Sequence, residues 1–299
     1  MKVVDFWGLI TFIIYPALFM GALVGVVVWN RRKRGTRRPF GDDARLLRMP
    51  GEHLWRRVIR KDLSELPWTM ALMLVPIFAA GLALQFAPYL FGKSYTSLFI
   101  SLLVFLIAVS CCVMWLAGRL ERREREYLGF FGERFVADCL EPLKEKGWFI
   151  FHDMPCAGDT RIFNLDHVAV GPGGIWVIET KVRRKGRPRP AMDRHKVRFD
   201  GAKIIWPRYD DTASIKQAVK SADWLQRWLE ARTEKRFDIF VVVAIPGYKV
   251  EITGKGGVRA AAPKDLPDVL IGEGKVVLNA EDIKLVRLQL AAKCRDVEY

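Results

Sequence analysis

The stretch NLDHVAVGPGGIWVIETK, Asn164–Lys181, decides how the second half of this chain is read. Two apolar runs flank Gly-Pro-Gly-Gly, a turn signal, so the segment predicts a β-hairpin. The second run ends in Glu179 and Lys181, two charges on a strand that otherwise looks core-bound. Alternate side chains of a strand share a face. Ile175, Val177, Glu179 and Lys181 therefore point one way, and Trp176, Ile178 and Thr180 the other. With Gly171–Gly174 taken as a four-residue loop, Val170 opposes Ile175, and counting outward sets Asp166 opposite Glu179. Opposed residues have Cβ atoms about 4.5–5.5 Å apart. Two carboxylates at that distance repel unless a cation or a proton stands between them. Converging hard oxygen ligands are what a divalent metal takes, and Lys181 lies on the same face. A plain cross-strand charge cluster, with Lys181 pairing both acids, accounts for the same spacing, and on spacing alone the two readings stand level.

The rest of the chain supplies the setting. It has 299 residues, 51% of them hydrophobic, and a formal net charge of +15. Such a combination implies two environments, lipid for one part and a polyanion or a membrane surface for another. The five Cys make no C-x-x-C pair, so neither a zinc cluster nor a disulfide framework is legible. Phe6–Trp29, Pro67–Gly92 and Ser94–Gly118 carry no charge, and each exceeds the roughly 20 residues a helix needs to cross a bilayer. The last two read as a helical hairpin. Basic clusters follow the first run (Arg31–Arg38) and the third (Arg119–Glu126). Lys- and Arg-rich flanks stay in the cytoplasm, so the soluble parts are expected there, at the cell (inner) membrane. A signal peptide fits poorly, because the first run is too long and a basic stop-transfer cluster follows it. The spans hold no ionisable group of the kind that marks an ion path, so their expected role is anchoring.

Four regions result: a first span in residues 1–30, a cytoplasmic basic loop in 31–66, a spanning hairpin in 67–118, and a cytoplasmic domain in 119–299. The loop includes a basic amphipathic stretch suited to the membrane surface. In the domain, three- and four-residue apolar steps through Leu128, Phe131, Phe135, Cys139 and Leu143 predict a helix ending near Gly147. Strands are expected at WFIFHD, across the hairpin, at FDIFVVVAIPG and near Val258–Ala262. Helices are expected over TASIKQAVKSADWLQRWLEA, capped by Thr212 or Ser214, and near Ala280–Lys293. The order is that of an α/β domain. Residues 182–198 read as a basic loop.

GERFVADCLEPL, then NLDHVAVGPGGIWVIETK, then a Gln early in SIKQAVKSADWL, resemble the NERD (nuclease-related) domain over about residues 126–262. The resemblance implies a restriction-endonuclease-like PD-(D/E)xK fold, a mixed sheet flanked by helices, here preceded by three transmembrane helices. It implies Mg²⁺- or Mn²⁺-dependent hydrolysis of nucleic acid phosphodiesters, with DNA favoured over RNA. By the same resemblance Asp166 and Glu179 bind metal, Lys181 is catalytic, the acid of the first helix is Glu133, and the Gln of the later helix is Gln217. Gln217 shares a helical stripe with Ser221, Trp224 and Trp228, which points it inward; a solvated Glu133 and a buried, backbone-bonded structural Gln217 are the plain alternatives. The VRRKG link after Lys181 is more basic than the family's pattern. His167 points away from the carboxylates and is read as packing; His152 and His195 receive no role. Arg183, Arg184, Lys185, Arg187 and Arg189 suit contact with a phosphate backbone, or with anionic lipid. Related folds often cut duplexes as dimers, which admits a homodimer. The rival function is a non-catalytic nuclease fold that binds nucleic acid, lipid or a protein at the membrane.

Overall fold

The computed structural model describes residues 45–91, 95–157, 162–190, 192–272 and 278–296, with scattered helical positions between 14 and 29. The expected first span and the basic cluster after it lie largely outside the described residues. The chain divides into two compact units, Met1–Asp43 with Arg57–Glu124, and Ala44–Arg56 with Arg125–Tyr299.

Two long helices, α1 (Glu52–Phe91) and α2 (Tyr95–Leu140), carry residues 57–91 and 95–124 of the first unit. Both are long and apolar enough to cross a membrane, with mean hydropathy of 1.9 and 2.7 over their richest windows. Their apolar side chains are mostly exposed, among them Met73, Ile77, Phe99 and Met114. Exposed large apolar side chains in this density are stable in lipid and costly in water. Among the described residues two apolar helices of this kind are seen; the first of the three expected spans lies largely outside them. The segment expected to be a basic loop up to residue 66 is helical from Glu52 onward.

The second unit is a mixed α/β body with two mixed sheets. A 3₁₀ turn (Glu141–Lys146) follows α2, and Gly147 closes it with φ of 81°. The large sheet runs in the order β1 (Phe149–Ala157), β2 (Ile162–Gly171), β3 (Gly174–Thr180), β7 (Ile239–Ala244), β9 (Arg259–Ala261). β1, β2 and β3 are antiparallel, whereas β7 and β9 join in parallel. The small sheet runs β6 (Asp210–Asp211), β5 (Ile204–Ile205), β4 (Lys196–Phe199), β8 (Lys249–Ile252). The sequence reading held no second sheet, because strands of two to four residues broken by Lys, Arg and Asp carry no period-two run. β4 accordingly falls partly inside the span read as a basic loop.

All seven residues of β3 are buried, because both of its faces are covered. On one face Val168, Val170, Ile175 and Val177 meet Ala218, Leu225 and Leu229 of α3 (Ala213–Thr233) and Val286 and Leu290 of α5 (Ala280–Cys294). On the other, Ala169, Trp176 and Ile178 meet Val136 and Leu140 of α2 and Leu266 and Leu270 of α4 (Leu266–Gly272). Full burial stabilises by about 1.5–3 kcal/mol per large apolar side chain. A strand covered on both faces reads as a continuous apolar run, which is why GIWVI shows no alternation.

The hairpin keeps the expected register with a tighter turn. Val170 pairs with Ile175 as expected, but Gly171 also pairs with Gly174, leaving only Pro172 and Gly173 as the turn. Both descriptions have the same parity, and the paired ladder runs to His167–Ile178, one step short of Asp166 and Glu179. Gly174 sits at φ of 112°, which a Cβ makes costly. Gly171 lies beneath the buried Trp148, and an added Cβ would overlap the indole. Gly171→Ala is therefore expected to destabilise the second unit by about 1–3 kcal/mol through overpacking. Denaturant unfolding followed by Trp fluorescence checks it; an unchanged midpoint would contradict the packing described.

Candidate active site

Glu179 stands near the end of β3, at the edge of the core that β3 shares with α3. Its side chain is 2% exposed. Its Oε1 accepts hydrogen bonds from Lys181 Nζ at 2.7 Å and from Gln217 Nε2 at 2.7 Å. Lys181 Nζ also donates to Gln217 Oε1 at 3.0 Å, so the three side chains close a triangle. The Lys181 amide donates to Ala244 O at 2.9 Å, fastening the strand end to β7.

Gln217 comes from the first turns of α3. Thr212 occupies the N-cap position but makes no side-chain capping bond. Asp211 does that work instead: its Oδ1 accepts from the Ser214 amide at 2.9 Å and its Oδ2 from the Ser214 hydroxyl at 2.6 Å. Gln217 is exposed rather than buried, and its amide bonds two side chains, not backbone.

Asp166, on β2, turns its Oδ2 toward the Thr180 amide and accepts from it at 2.7 Å. Burial pushes its carboxyl well above the ordinary range, and the charges of Glu179 and Glu133 push it further. Glu133, on α2 beyond the apolar run, is 5% exposed. It is therefore not the solvated helix Glu of the plain alternative. Its carboxyl is pushed up to about 7, chiefly by burial; Asp153 and Glu179 raise it further, while His53 and Lys181 oppose them. Among the described residues, Glu133 Oε2 and Glu179 Oε2 are buried without a hydrogen-bond partner. The five residues singled out by sequence thus occupy one neighbourhood: three in direct contact, the other two coupled to them by charge.

Three residues of the same neighbourhood were missed. Asp153 in β1 is fully buried and has a positive φ of 49°. It accepts from Arg48 Nη1 at 2.9 Å, the His53 amide at 2.8 Å and Asn164 Nδ2 at 2.8 Å, and its Oδ1 bonds His53 Nδ1 at short range. Arg48 also grips Asp296 through two bonds of 2.6 and 2.7 Å. Ligand atoms of His53, Glu133 and Asp153 lie within 4.8 Å of one another. Asp153 falls level with Asp166 between the pairs His152–His167 and Met154–Leu165. Alternation breaks there in both strands: Phe151 and Met154, and likewise Leu165 and Val168, enter one core at a spacing of three. The available signal was Asp153 itself, a charge inside a strand. Nothing in the sequence ties residues 48 and 53 to residue 153.

Buried His167 packs against half-buried His152. His152 and His167 pair across β1 and β2, with Nδ1 atoms 2.9 Å apart. Burial holds His152 down to about 4 and His167 well below its ordinary value. Both are neutral at pH 7, as expected for packing. The basic loop is partly anchored. Arg183 donates to Tyr209 Oη at 2.7 Å and lies 3.9 Å from Asp211, and Arg189 bonds Asp210 at 2.9 Å. Lys185 Nζ sits 3.0 Å from His195 Nδ1. Arg184, Lys185 and Arg187 are exposed.

The donor set suits a divalent cation. Asp166, Glu179 and Glu133 feel one another's charge and that of Lys181, and Glu133 Oε2 and Glu179 Oε2 are buried and unpartnered among the described residues. Residues 128–246 match the family model of NERD, the nuclease-related domain. No curated protein and no solved structure matches the chain. The match runs from the end of α2 to just past β7. Arg48, His53 and Asp296 lie outside the matched residues.

Glu133 holds its proton from an ordinary 4.5 up to about 7 when folded. Between those values the folded chain binds more protons than the unfolded chain, so stability falls as pH rises through the window. In metal-free buffer, Glu133→Gln is expected to be more stable than the parent at pH 8 by up to about 3 kcal/mol. The difference should vanish at about pH 3, well below the ordinary 4.5, where Glu133 is protonated in both states. Unfolding at the two pH values checks it; an equal difference at both would contradict the shift.

Proposed function

We propose that this nuclease-related domain hydrolyses nucleic acid phosphodiesters with a divalent metal, DNA before RNA, and that apolar helices anchor it to the membrane. The observation that carries the reading is the pair of buried, unpartnered oxygens, Glu133 Oε2 and Glu179 Oε2, beside the Glu179–Lys181–Gln217 triangle. Buried carboxylates without partners are costly, and a cation supplied on binding removes that cost.

Asp166 and Glu179 would hold Mg²⁺ or Mn²⁺, with Glu133 beside them. Such an ion supplies Lewis acidity at the phosphate and lowers the pKa of a bound water. Lys181, fixed by Glu179 and Gln217, orients the attacking water and offsets negative charge growing on the phosphoryl oxygens. Water oxygen bonds to phosphorus as the ester P–O bond breaks; the water proton leaves to solvent and the departing oxygen gains one. Gln217 holds the lysine and the glutamate in one geometry. Arg183, Arg184, Lys185, Arg187 and Arg189 follow the catalytic strand and face the phosphate backbone, a contact without base readout. Three spans with cytoplasmic flanks, the topology the basic clusters suggest, would put this domain at the inner face of the cell membrane, and a homodimer would suit duplex cleavage.

The test uses the full chain in detergent, because residues 44–56 belong to the same compact unit as the domain. Supercoiled, linear and single-stranded DNA, and RNA, are incubated with Mg²⁺, Mn²⁺ or EDTA. Cleavage in metal alone is expected, with Glu179→Gln and Lys181→Ala slower by roughly 10²–10⁴-fold. Salt-sensitive DNA binding without cleavage would instead establish a binding module, and cleavage by both variants at the parent rate would overturn the assignment of these residues.

A further inference from the structure

The basic run after β3 is docked against the turn Trp206-Pro207-Arg208-Tyr209, which joins β5 to β6. The Arg189 amide donates to Pro207 O at 2.8 Å, and Arg189 Nη2 donates to Trp206 O at 3.1 Å. Arg208 lies over Gly186, where an added Cβ would meet its guanidinium. Tyr248 Oη donates to Arg183 O at 3.4 Å.

The rings of Trp206, Tyr209 and Tyr248 meet in this junction. Trp206 is 1% exposed. It meets the buried Tyr248 edge-on at 5.2 Å and lies nearly parallel to Tyr209, with ring centres 6.5 Å apart and 27° between the planes. Tyr209 is 42% exposed. The stack thus ends in a tyrosine that presents ring surface to solvent. Cations surround it. The Arg183 guanidinium lies 5.9 Å from the centre of the Trp206 ring and donates to Tyr209 Oη at 2.7 Å, which sets the tyrosine ring. Lys185 Nζ lies 5.4 Å from the centre of the Tyr248 ring, and Lys185, Arg187 and Arg208 are exposed. The acids of the turn are already matched, Asp210 by Arg189 and Lys203, and Asp211 by Ser214 and Arg183. The surface is therefore left positive.

Both ends of this platform are tied to the Glu179–Lys181–Gln217 triangle. Arg183 follows Lys181 by two residues, at most about 7 Å of extended chain. Asp211 holds Ser214 in the first turn of α3, the helix that carries Gln217. An aromatic surface ringed by cations suits unstacked bases, since every base has a π face and the phosphates answer the charge. Inside a duplex both faces of a base are covered by its neighbours, so the ring reaches only an unpaired or terminal base. Anionic lipid would satisfy the cations but offers the ring nothing to stack on.

We propose that Tyr209, backed by Trp206 and set by Arg183, stacks an unpaired base while Lys185, Arg187 and Arg208 hold the phosphates, so that the domain takes single-stranded nucleic acid in preference to duplex. The proposal rests on the nuclease reading of the neighbouring site, and its test reads binding apart from cleavage.

The full chain in detergent, in EDTA so that no cutting occurs, is titrated into a labelled DNA single strand of about 16 nucleotides and into a blunt duplex of the same length, and anisotropy is followed. The parent should bind the single strand more tightly. Tyr209→Ala should weaken the single strand by roughly 5–100-fold and the duplex by less than about twofold. Tyr209→Phe keeps the ring and should stay within about threefold of the parent on the single strand. Duplex binding and the thermal midpoint report whether the alanine variant is folded. Tyr209→Ala that binds the single strand as tightly as the parent overturns the proposal, as does an equal loss on strand and duplex, or a parent that binds neither. Phosphatidylglycerol added to the micelles should leave the Tyr209-dependent binding in place; displacing the strand as readily as unlabelled strand of equal charge would assign the surface to lipid and overturn the proposal. Cleavage in metal without a Tyr209-dependent preference keeps the nuclease reading and loses this site. Tyr209-dependent strand binding without cleavage in any metal keeps this site and loses the nuclease reading.

Discussion

Everything at the candidate site depends on one strand being buried from both sides. β3 lies between β2 and β7, with helices against each face. A buried strand must pair its backbone groups and cannot slip, since a one-residue shift would turn every side chain to the opposite face. The same burial makes the charges at its end consequential. In water Glu179 and Lys181 would form a weak surface pair. At the mouth of a core, Glu179 needs donors, and Lys181 and Gln217 supply them to one oxygen while the other stays open.

Asp153 is the second fixed point. A fully buried carboxylate is tolerated only when its lone pairs are filled. Arg48, His53 and Asn164 fill them. Arg48 extends the tie to Asp296, and its amide bonds Cys294 O at 3.0 Å. A short segment upstream of α1 is thereby fastened to β1 and to the end of the chain. The break in strand alternation at Asp153 and Asp166 brings both aspartates into one neighbourhood with Glu133.

The local rules worked where the pattern was strong. WFIFHD, the hairpin, FDIFVVVAIPG and the last helix were legible, because runs of apolar residues and turn glycines are read within a few positions. The hairpin register survived a wrong turn length, since loops of four and of two residues between the same pairs have equal parity. The four-stranded sheet was not legible, and neither was the cap of α3, where Asp211 acts from one position before the N-cap. Gln217 was found through the family resemblance; spacing alone suggested a buried residue, and the structure shows an exposed one that works through its amide.

By itself the sequence determined the hairpin, its register, and the apolar runs of the two described helices. Each of these follows from periodicity, turn chemistry or composition, all carried by neighbouring residues. Tertiary structure alone decided that Glu133 is buried, that Arg48, His53, Asp153 and Asp296 converge, and which carboxylate oxygens are left without a donor. Those outcomes depend on partners a hundred or more positions apart, as Arg48–Asp153 and Arg48–Asp296 are, and on burial, which sets how strongly a carboxylate wants a proton or a metal.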